Sequence, residues 1–389
     1  MSTKTTIDIV IIGAGIAGLW AHYVLRSRGY NCLLLESEAI GAGQTLASQG
    51  IIHSGLKYAF AGKVNKLAQS ISAMPDLWRS ALRGEGDVDL SAARMNASSQ
   101  YLLIPKGFMG GLVKLVTRQA LGGNVHEVPH DEWPAEIAGS GFKGSVIFMD
   151  EPVLDVESVI RALAQPYQDS IRKIDTPDDV DGFLARNNIM ARRIIYTAAG
   201  SNHMAAMAQD HGAGLKTQKR PLLMGFMHPA PFECYAHLVG RSDKPVATIT
   251  THKMSDGTLC WYLGGGVAER DKDANPQDVY KAAIKGFKKY LPHIDLSQAQ
   301  WSTLPIDRIE GKSQVDGWMP DTPTIHSAHD HIYCWPTKLT FAPLLSQRLV
   351  EKLEADDIKP SGAQHDFSVL PPAPFADAPW NKTKWESAE

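Results

Sequence analysis

The sequence predicts an α/β protein in which a domain with a parallel sheet is interleaved with a second domain built on a mixed or antiparallel sheet. The first observation is an apolar run at residues 7–12, rich in β-branched residues, which is typical of a buried parallel strand. It continues into a glycine-rich turn, a helix predicted over 16–27 and a second apolar strand over 32–35. The second observation is a set of strand-like patches at 100–104, 246–251 and 259–263, with the hairpin signal Asp256-Gly257 between the last two.

The glycine-rich turn predicts a dinucleotide site. Gly13, Gly15 and Gly18 permit a tight turn and bring bare backbone against a pyrophosphate, which rests at the N-terminus of the next helix. Glu36 ends the second strand, at the position that hydrogen-bonds a ribose hydroxyl. Strand, turn, helix, strand and acid in this order predict a Rossmann-like domain.

Two further segments favour FAD over a nicotinamide cofactor. Residues 41–50 are small and polar and follow Glu36 directly, where a nicotinamide enzyme would continue into another ordinary strand and helix. A later predicted strand over 193–200 ends in Ala198, Ala199 and Gly200, and small residues at a strand's carboxyl end allow close approach to a ligand. Both segments indicate an extended cofactor.

These segments resemble the FAD-dependent oxidoreductases of the D-amino-acid-oxidase type. Within that superfamily, residues 50–58 are similar to a segment of glycerol-3-phosphate dehydrogenases and L-2-hydroxyglutarate oxidases. Residues 337–341 resemble the glycerol-3-phosphate dehydrogenase segment that closes over the flavin, with Trp335 and Pro336 in place of the usual glycines. The resemblance implies FAD, which we expect to be bound non-covalently. The predicted cofactor contacts are Gly13, Gly15, Ile16, Ala17, Gly18, Glu36, Ser37, Gln44, Thr45, Ser48, Gln49, Gly50, Ile52, Ala199, Gly200, Lys338, Leu339 and Thr340.

The domain organisation follows from the same patterns. We expect residues 1–85, 150–214 and 316–356 to form the FAD-binding domain, and residues 86–149 and 215–315 to form the substrate domain. Residues 357–389 are predicted to be an extended, proline-rich tail, because proline excludes helix and strand interiors. Its aromatic residues Phe375, Trp380 and Trp385 could hold the tail against the body of the protein or against a partner.

Composition excludes several classes of protein. The chain has 389 residues and a formal net charge of −3 without a long basic block, which argues against nucleic-acid binding. Its four cysteines form no CxxC pair, so we expect buried apolar residues, no disulfide and no metal site. No apolar run approaches the roughly 18 residues of a membrane span. The first predicted strand begins at Ile7, so we expect no signal peptide and a cytoplasmic protein.

Two residues are the candidates for chemistry. His53 closely follows the cofactor-binding segment and could accept a substrate proton, or it could only hydrogen-bond the flavin or backbone. Arg308 could clamp a substrate anion with its two parallel donors, or it could form a surface ion pair with Asp307 or Glu310. The other residues expected at the substrate are Lys57, Tyr58, His252 and Tyr262. A helix start after Lys338 and Thr340 would aim backbone N–H groups at the reduced flavin.

The sequence therefore predicts an FAD-dependent oxidase or dehydrogenase that oxidises a CH–OH group of a small anionic substrate by hydride transfer to flavin. A 2-hydroxy acid or a polyol phosphate is the expected substrate, with oxygen, a quinone or a protein as electron acceptor. Two alternatives remain open: an amine or amino-acid oxidase, and a flavin-binding subunit of a larger complex.

Overall fold

A computed structural model describes residues 4–54, 71–107, 125–212, 215–240, 245–311, 323–336 and 338–389. The strands are β1 (Thr5–Ile12), β2 (Cys32–Glu36), β3 (Met95–Ala97), β4 (Gln100–Pro105), β5 (Val125–Glu127), β6 (Gly144–Met149), β7 (Val153–Leu154), β8 (Ile171–Lys173), β9 (Ile189–Tyr196), β10 (Thr217–His228), β11 (Ala236–Leu238), β12 (Ala247–Lys253), β13 (Leu259–Gly264), β14 (Gln300–Gly311), β15 (Thr324–Ala328) and β16 (His331–Trp335). The α-helices are α1 (Ile16–Ser27), α2 (Met74–Leu82), α3 (Ala135–Gly139), α4 (Val156–Ala164), α5 (Val180–Arg186), α6 (Gly200–Ala208), α7 (Pro276–Tyr290) and α8 (Ala342–Ala355).

A six-stranded sheet in the order β15-β16-β9-β1-β2-β8 forms the first layer. Its central strands are parallel, and only the β15–β16 pair is antiparallel. Alternate residues of β1 face opposite sides: Ile9 and Ile11 join the core beneath α1, α4 and α8, whereas Val10 and Ile12 join the core on the other face. Because both faces are covered, the central runs over 9–12 of β1 and 32–35 of β2 are continuously apolar, as is typical of buried parallel strands.

An eight-stranded sheet in the order β14-β10-β13-β12-β11-β4-β6-β5 forms the second layer. Its pairs are antiparallel except for β11 with β4, so the sheet is mixed. The predicted hairpin joins β12 to β13, with Gly257 in the left-handed region at φ +87°. Helix α7 packs Val279, Tyr280 and Phe287 against one face. The predicted fold class, an α/β protein with one parallel and one mixed sheet, is confirmed.

The strands of the two sheets come from alternating parts of the chain. All strands of the six-stranded sheet lie within 1–85, 150–214 and 316–356, and all strands of the eight-stranded sheet lie within 86–149 and 215–315. These are the ranges predicted for the FAD-binding and substrate domains, and the division into domains stays a prediction.

The C-terminal tail lies along the body of the protein. It makes bridges at Pro372 with Arg172 on β8, at Phe375 with Ile40, and at Glu386 with Trp301 on β14. Trp380 is buried in a cluster on the second sheet.

The cysteines Cys32, Cys234, Cys260 and Cys334 are buried and free, as expected. Burial raises the pKa of the Cys234 and Cys260 thiols to about 12, so they stay protonated. In the part of the chain that the structure describes, no helix has the length and apolar character needed to cross a bilayer.

Candidate active site

A cavity of about 520 Å³ is lined by residues from both sheets. The six-stranded sheet contributes its carboxyl edge, where parallel α/β sheets bind ligands. The eight-stranded sheet contributes residues of β10, β11, β12, β13 and β14. The predicted site residues that line the cavity are Gly15, Ile16, Ala17, Gln44, Thr45, Ser48, Gln49, Gly50, His53, Ala199, Arg308, Lys338, Leu339 and Thr340. The structure therefore brings both catalytic candidates together with most of the predicted cofactor contacts.

The glycine turn between β1 and α1 is built for close backbone approach. Gly13 has a φ of +100°, which favours glycine, and a Cβ at Gly18 would lie 2.0 Å from the Gly13 carbonyl oxygen. Gly15 caps α1 without a side-chain hydrogen bond, while Thr45 Oγ1 accepts a bond of 3.0 Å from the Ile16 N–H. A bare turn at a helix N-terminus suits a pyrophosphate.

Glu36 stands next to this turn at the end of β2. Its carboxylate is buried and accepts hydrogen bonds of 2.7 Å from the Ala14 and Glu38 N–H groups. Each carboxylate oxygen has a second lone pair, so the group can also accept a ribose hydroxyl. With the glycine turn, this chemistry matches the needs of FAD. The other predicted cofactor contacts do not line the cavity: Gly13, Gly18, Glu36, Ser37, Ile52 and Gly200.

The segment after Glu36 is tied to the second sheet by Gln49. Its side-chain amide donates hydrogen bonds to the carbonyl oxygens of Thr248 at 3.1 Å and Tyr262 at 2.9 Å. At the opposite wall, Trp335 donates a bond of 2.9 Å to the carbonyl oxygen of Ala199, which has an unusual φ of +48° for a residue with a side chain. Trp335 thus secures a strained strand end in the cavity wall.

His53 is held by a buried carboxylate. Its Nδ1 lies 3.2 Å from Glu151 Oε2, while the other carboxylate oxygen accepts bonds of 2.7 Å from the Ser54 N–H and hydroxyl. Gln100 Nε2 donates a further bond of 2.6 Å to Glu151. Burial by itself raises the pKa of Glu151, but hydrogen bonds from His53 and Ser54 outweigh it, so the pKa lies below its ordinary value. Glu151 is therefore a carboxylate at neutral pH.

A second histidine completes this wall. His237 on β11 is 2% exposed, and its ring stacks on that of His53 with 6.1 Å between centroids. Its Nδ1 lies 2.8 Å from Thr248 Oγ1, which fixes the orientation of the ring. One ligand atom each from His53, Glu151 and His237 lies within 4.8 Å of the other two.

Two arginines lie side by side in the cavity. Arg308 on β14 is opposite Arg220 on β10 in the register of the sheet, and both line the cavity. Arg308 donates a bond of 2.5 Å to the buried Glu310, and Arg220 is paired with Glu269. Like charges directly opposite on neighbouring strands are unfavourable, and the two carboxylates offset this repulsion.

His252 and Tyr262 were expected at the substrate, and the structure places both outside the cavity lining. Both side chains are buried beneath the tail, where the His252 ring stacks on Trp380 at 4.0 Å between centroids. The Tyr262 hydroxyl donates a bond of 2.7 Å to the Ala47 carbonyl oxygen. Thr248 and His252 are on the same face of β12, but the tail covers the end that carries His252, so this residue and Tyr262 do not line the cavity. Lys57 and Tyr58 lie outside the described residues.

Four site residues were missed by sequence reasoning. Glu151, His237, Arg220 and Glu269 come from separate segments of the chain and line the cavity only after the strands pair. Glu151 lies one residue after position 150, where the FAD-binding domain is predicted to resume. That position was a weak indication that Glu151 lies near the site. Arg220 becomes notable only once β10 is known to pair with β14.

A glycine turn, a buried acid beside it and a cavity between a parallel and a mixed sheet are typical of a dinucleotide-binding protein. Comparison with known proteins gives the family: residues 8–335 match the family model described as FAD dependent oxidoreductase (DAO), and the chain belongs to this family. The protein therefore uses FAD.

The chain is similar over its whole length to one relative. It is 36% identical to the probable FAD-dependent oxidoreductase PA4991 of Pseudomonas aeruginosa, over 98% of this chain and 99% of that protein. The crystal structure of that relative superposes with a TM-score of 0.81, at 32% identity over 98% of this chain and 99% of that chain.

More distant structures share the fold alone. The L-α-glycerophosphate oxidase of Mycoplasma pneumoniae, solved with FAD bound, has a TM-score of 0.61 at 15% identity, covering 90% of this chain and 95% of that chain. The glycine oxidase of Geobacillus kaustophilus has the same TM-score, identity and coverage. One of these enzymes is named for an alcohol substrate and the other for an amine.

Proposed function

We propose that this FAD-dependent oxidoreductase oxidises a CH–OH group of a small anionic substrate, a 2-hydroxy acid or a polyol phosphate. The observation that carries the proposal is the arrangement of His53, Glu151 and Arg308 around one cavity. A neutral alcohol is a poor hydride donor until its hydroxyl proton is removed, and a histidine held by a carboxylate is a suitable base.

His53 takes the proton of the substrate hydroxyl through Nε2, because Nδ1 is bonded to Glu151. Glu151 is a positioning residue, since it fixes the ring and its tautomer and its negative charge favours the imidazolium that forms. Ser54 and Gln100 hold the carboxylate in turn. Bound FAD supplies the two-electron acceptor.

Arg308 binds the anionic end of the substrate. Its guanidinium is paired with Glu310 and is 27% exposed at the side chain, so a carboxylate or phosphate entering the cavity can share its donors. Arg220, opposite on β10, adds a second positive charge to the same wall. Although each arginine is paired with a carboxylate, their guanidinium N–H donors suit an anionic substrate. The proposed electron acceptor is oxygen, a quinone or a protein.

Anaerobic reduction of the purified protein tests the proposal. The enzyme is mixed with matched sets of 2-hydroxy acids, polyol phosphates, and the amino acids and amines of the same carbon skeletons, and the flavin absorption band is followed. We expect bleaching with a hydroxy acid or a polyol phosphate and none with the matched amines. Bleaching by amines alone would establish the alternative, an amine or amino-acid oxidase.

A further inference from the structure

The wall of the cavity that carries His53 also has the composition of a metal site. Two imidazoles and one carboxylate, from His53, His237 and Glu151, place one ligand atom each within 4.8 Å of the others. Two histidines and a carboxylate on one side of an open position form a ligand set that divalent transition metals use widely. Ligand atoms around zinc lie at roughly 2.0–2.2 Å from the ion, so two of them are at most about 4.4 Å apart. This separation is close to the 4.8 Å within which these three ligand atoms lie.

The surroundings of the three residues match those of metal ligands. His237 is oriented by Thr248 Oγ1 at 2.8 Å, and Glu151 by Gln100 Nε2 at 2.6 Å. Such partners beyond the ligands fix ligand orientation in metal sites. Glu151 and His237 are 3% and 2% exposed, whereas the His53 side chain is 26% exposed at the cavity. The site is therefore rigid on its protein side and accessible from the cavity.

We propose that His53, Glu151 and His237 bind a divalent transition-metal ion of the zinc class, and that the bound ion competes with the use of His53 as a base. Imidazole ligands select such ions over magnesium, which prefers oxygen. An ion on His53 occupies the ring that would otherwise accept the substrate proton. The binding site stands independently of the proposed function, and its inhibitory consequence rests on that function.

Equilibrium dialysis of the FAD-loaded protein against Zn²⁺, with Mg²⁺ as the comparison ion, tests the binding. We expect saturable binding of zinc, to one site that magnesium does not fill. His237→Ala should weaken zinc binding by more than the roughly 10–100-fold that loss of an outer partner costs. Thr248→Val, which removes only the hydrogen bond to His237, should weaken it within that range.

His126→Gln is the matched control, because it removes an exposed imidazole that lies on β5, the edge strand of the second sheet, and does not line the cavity. Its zinc binding should equal that of the wild type, and the flavin spectrum should show that every variant retains FAD. Absence of saturable binding in the wild type, or equal binding by wild type and a flavin-loaded His237→Ala, would overturn the proposal.

The inhibitory consequence has its own measurement. With a substrate found in the anaerobic panel, zinc should slow flavin reduction in the wild type and leave the residual rate of His237→Ala unchanged. Zinc binding that leaves the wild-type rate unchanged would overturn the claimed competition. If zinc binds and the hydroxy acids and polyol phosphates all fail to reduce the flavin, only the proposed function is contradicted.

Discussion

At the scale of single residues, Glu151 is the group on which the proposed base depends. Its carboxylate receives bonds from His53, Ser54 and Gln100, all of which act as donors. An amide at this position keeps the shape but loses the charge, and it turns an N–H group toward these donors. We therefore expect a loss of proton-transfer efficiency without loss of FAD.

Glu151→Gln should slow anaerobic flavin reduction by no more than the roughly 10²–10⁴-fold that general acid–base catalysis contributes. The acid limb of its rate profile should move to lower pH, because the negative charge that favours the imidazolium is gone. Glu151→Asp, which keeps the charge, should leave that limb near its wild-type position. An unshifted limb in a flavin-loaded Glu151→Gln would give Glu151 a purely structural role.

Arg308 is the second residue with a specific expectation. Arg308→Ala should raise KM for the true substrate. The loss of substrate binding free energy should be about 2–5 kcal/mol if a buried charge pair is lost. FAD content should stay near that of the wild type. Lys219→Ala is a control, because Lys219 is paired with Asp307 on the same strands and does not line the cavity. Equal KM values for the wild type and Arg308→Ala would reduce Arg308 to an ion pair with Glu310.

At the scale of elements, the turn from β1 to α1 is the best test of the cofactor cradle. Gly18→Ala places a Cβ 2.0 Å from the Gly13 carbonyl oxygen, and neither backbone segment can move without disturbing β1. We expect a loss of about 1–3 kcal/mol in stability and a clear loss of bound FAD. Thermal unfolding measures the stability, and the flavin-to-protein absorbance ratio measures the bound FAD.

Gly139→Ala is the matched control for this prediction. A Cβ there has no neighbour within 4 Å, and Gly139 ends helix α3. Its stability should change by less than about 1 kcal/mol, with full FAD content. Retention of FAD by Gly18→Ala at the wild-type ratio would contradict the account of the cradle.

The local elements were the most predictable part of this fold. The bounds of α1 match the predicted 16–27. The side chain of Asp155 accepts a bond of 3.1 Å from the Ser158 N–H and so caps the start of α4. These features depend on short-range pattern and capping chemistry. The register of β10 against β14 depends on contacts far apart in sequence, and so the pairing of Arg220 with Arg308 could not be predicted.

The same distinction between short-range patterns and long-range contacts separates the site residues that the sequence predicted from those that it did not. Residues 41–50 follow the fingerprint closely enough in sequence to be assigned to the cavity, whereas Glu151 and His237 reach it from other strands. His252 was expected at the substrate, but its ring stacks on the tail residue Trp380. Long-range coverage of this kind leaves no local sequence pattern.

At the scale of the whole molecule, buried histidines make stability depend on pH. Burial lowers the pKa of His22 and of His252 from 6.5 to about 3, so both are neutral in the folded protein near neutral pH. In the unfolded chain they take up protons below about pH 6.5. Unfolding is therefore favoured as pH falls, by up to about 1.4 kcal/mol per pH unit for each histidine.

His252→Gln tests this dependence. The drop in melting temperature between pH 7 and pH 5, measured with saturating FAD, should be smaller in the variant than in the wild type, because one of the two protons is no longer taken up on unfolding. His126→Gln, which removes an exposed histidine, should leave the drop unchanged. An identical drop in the wild type and in His252→Gln would mean that His252 is protonated in the folded protein.

The most direct test of the central claim is the rate of anaerobic flavin reduction in His53→Ala, with the substrate identified from the panel. If His53 removes the hydroxyl proton of an alcohol, the variant should retain FAD and be reduced about 10²–10⁴-fold more slowly than the wild type. A flavin-loaded variant that is reduced at nearly the wild-type rate would contradict the assignment of His53 as the base and favour amine oxidation, in which the substrate needs only to be unprotonated before it reacts.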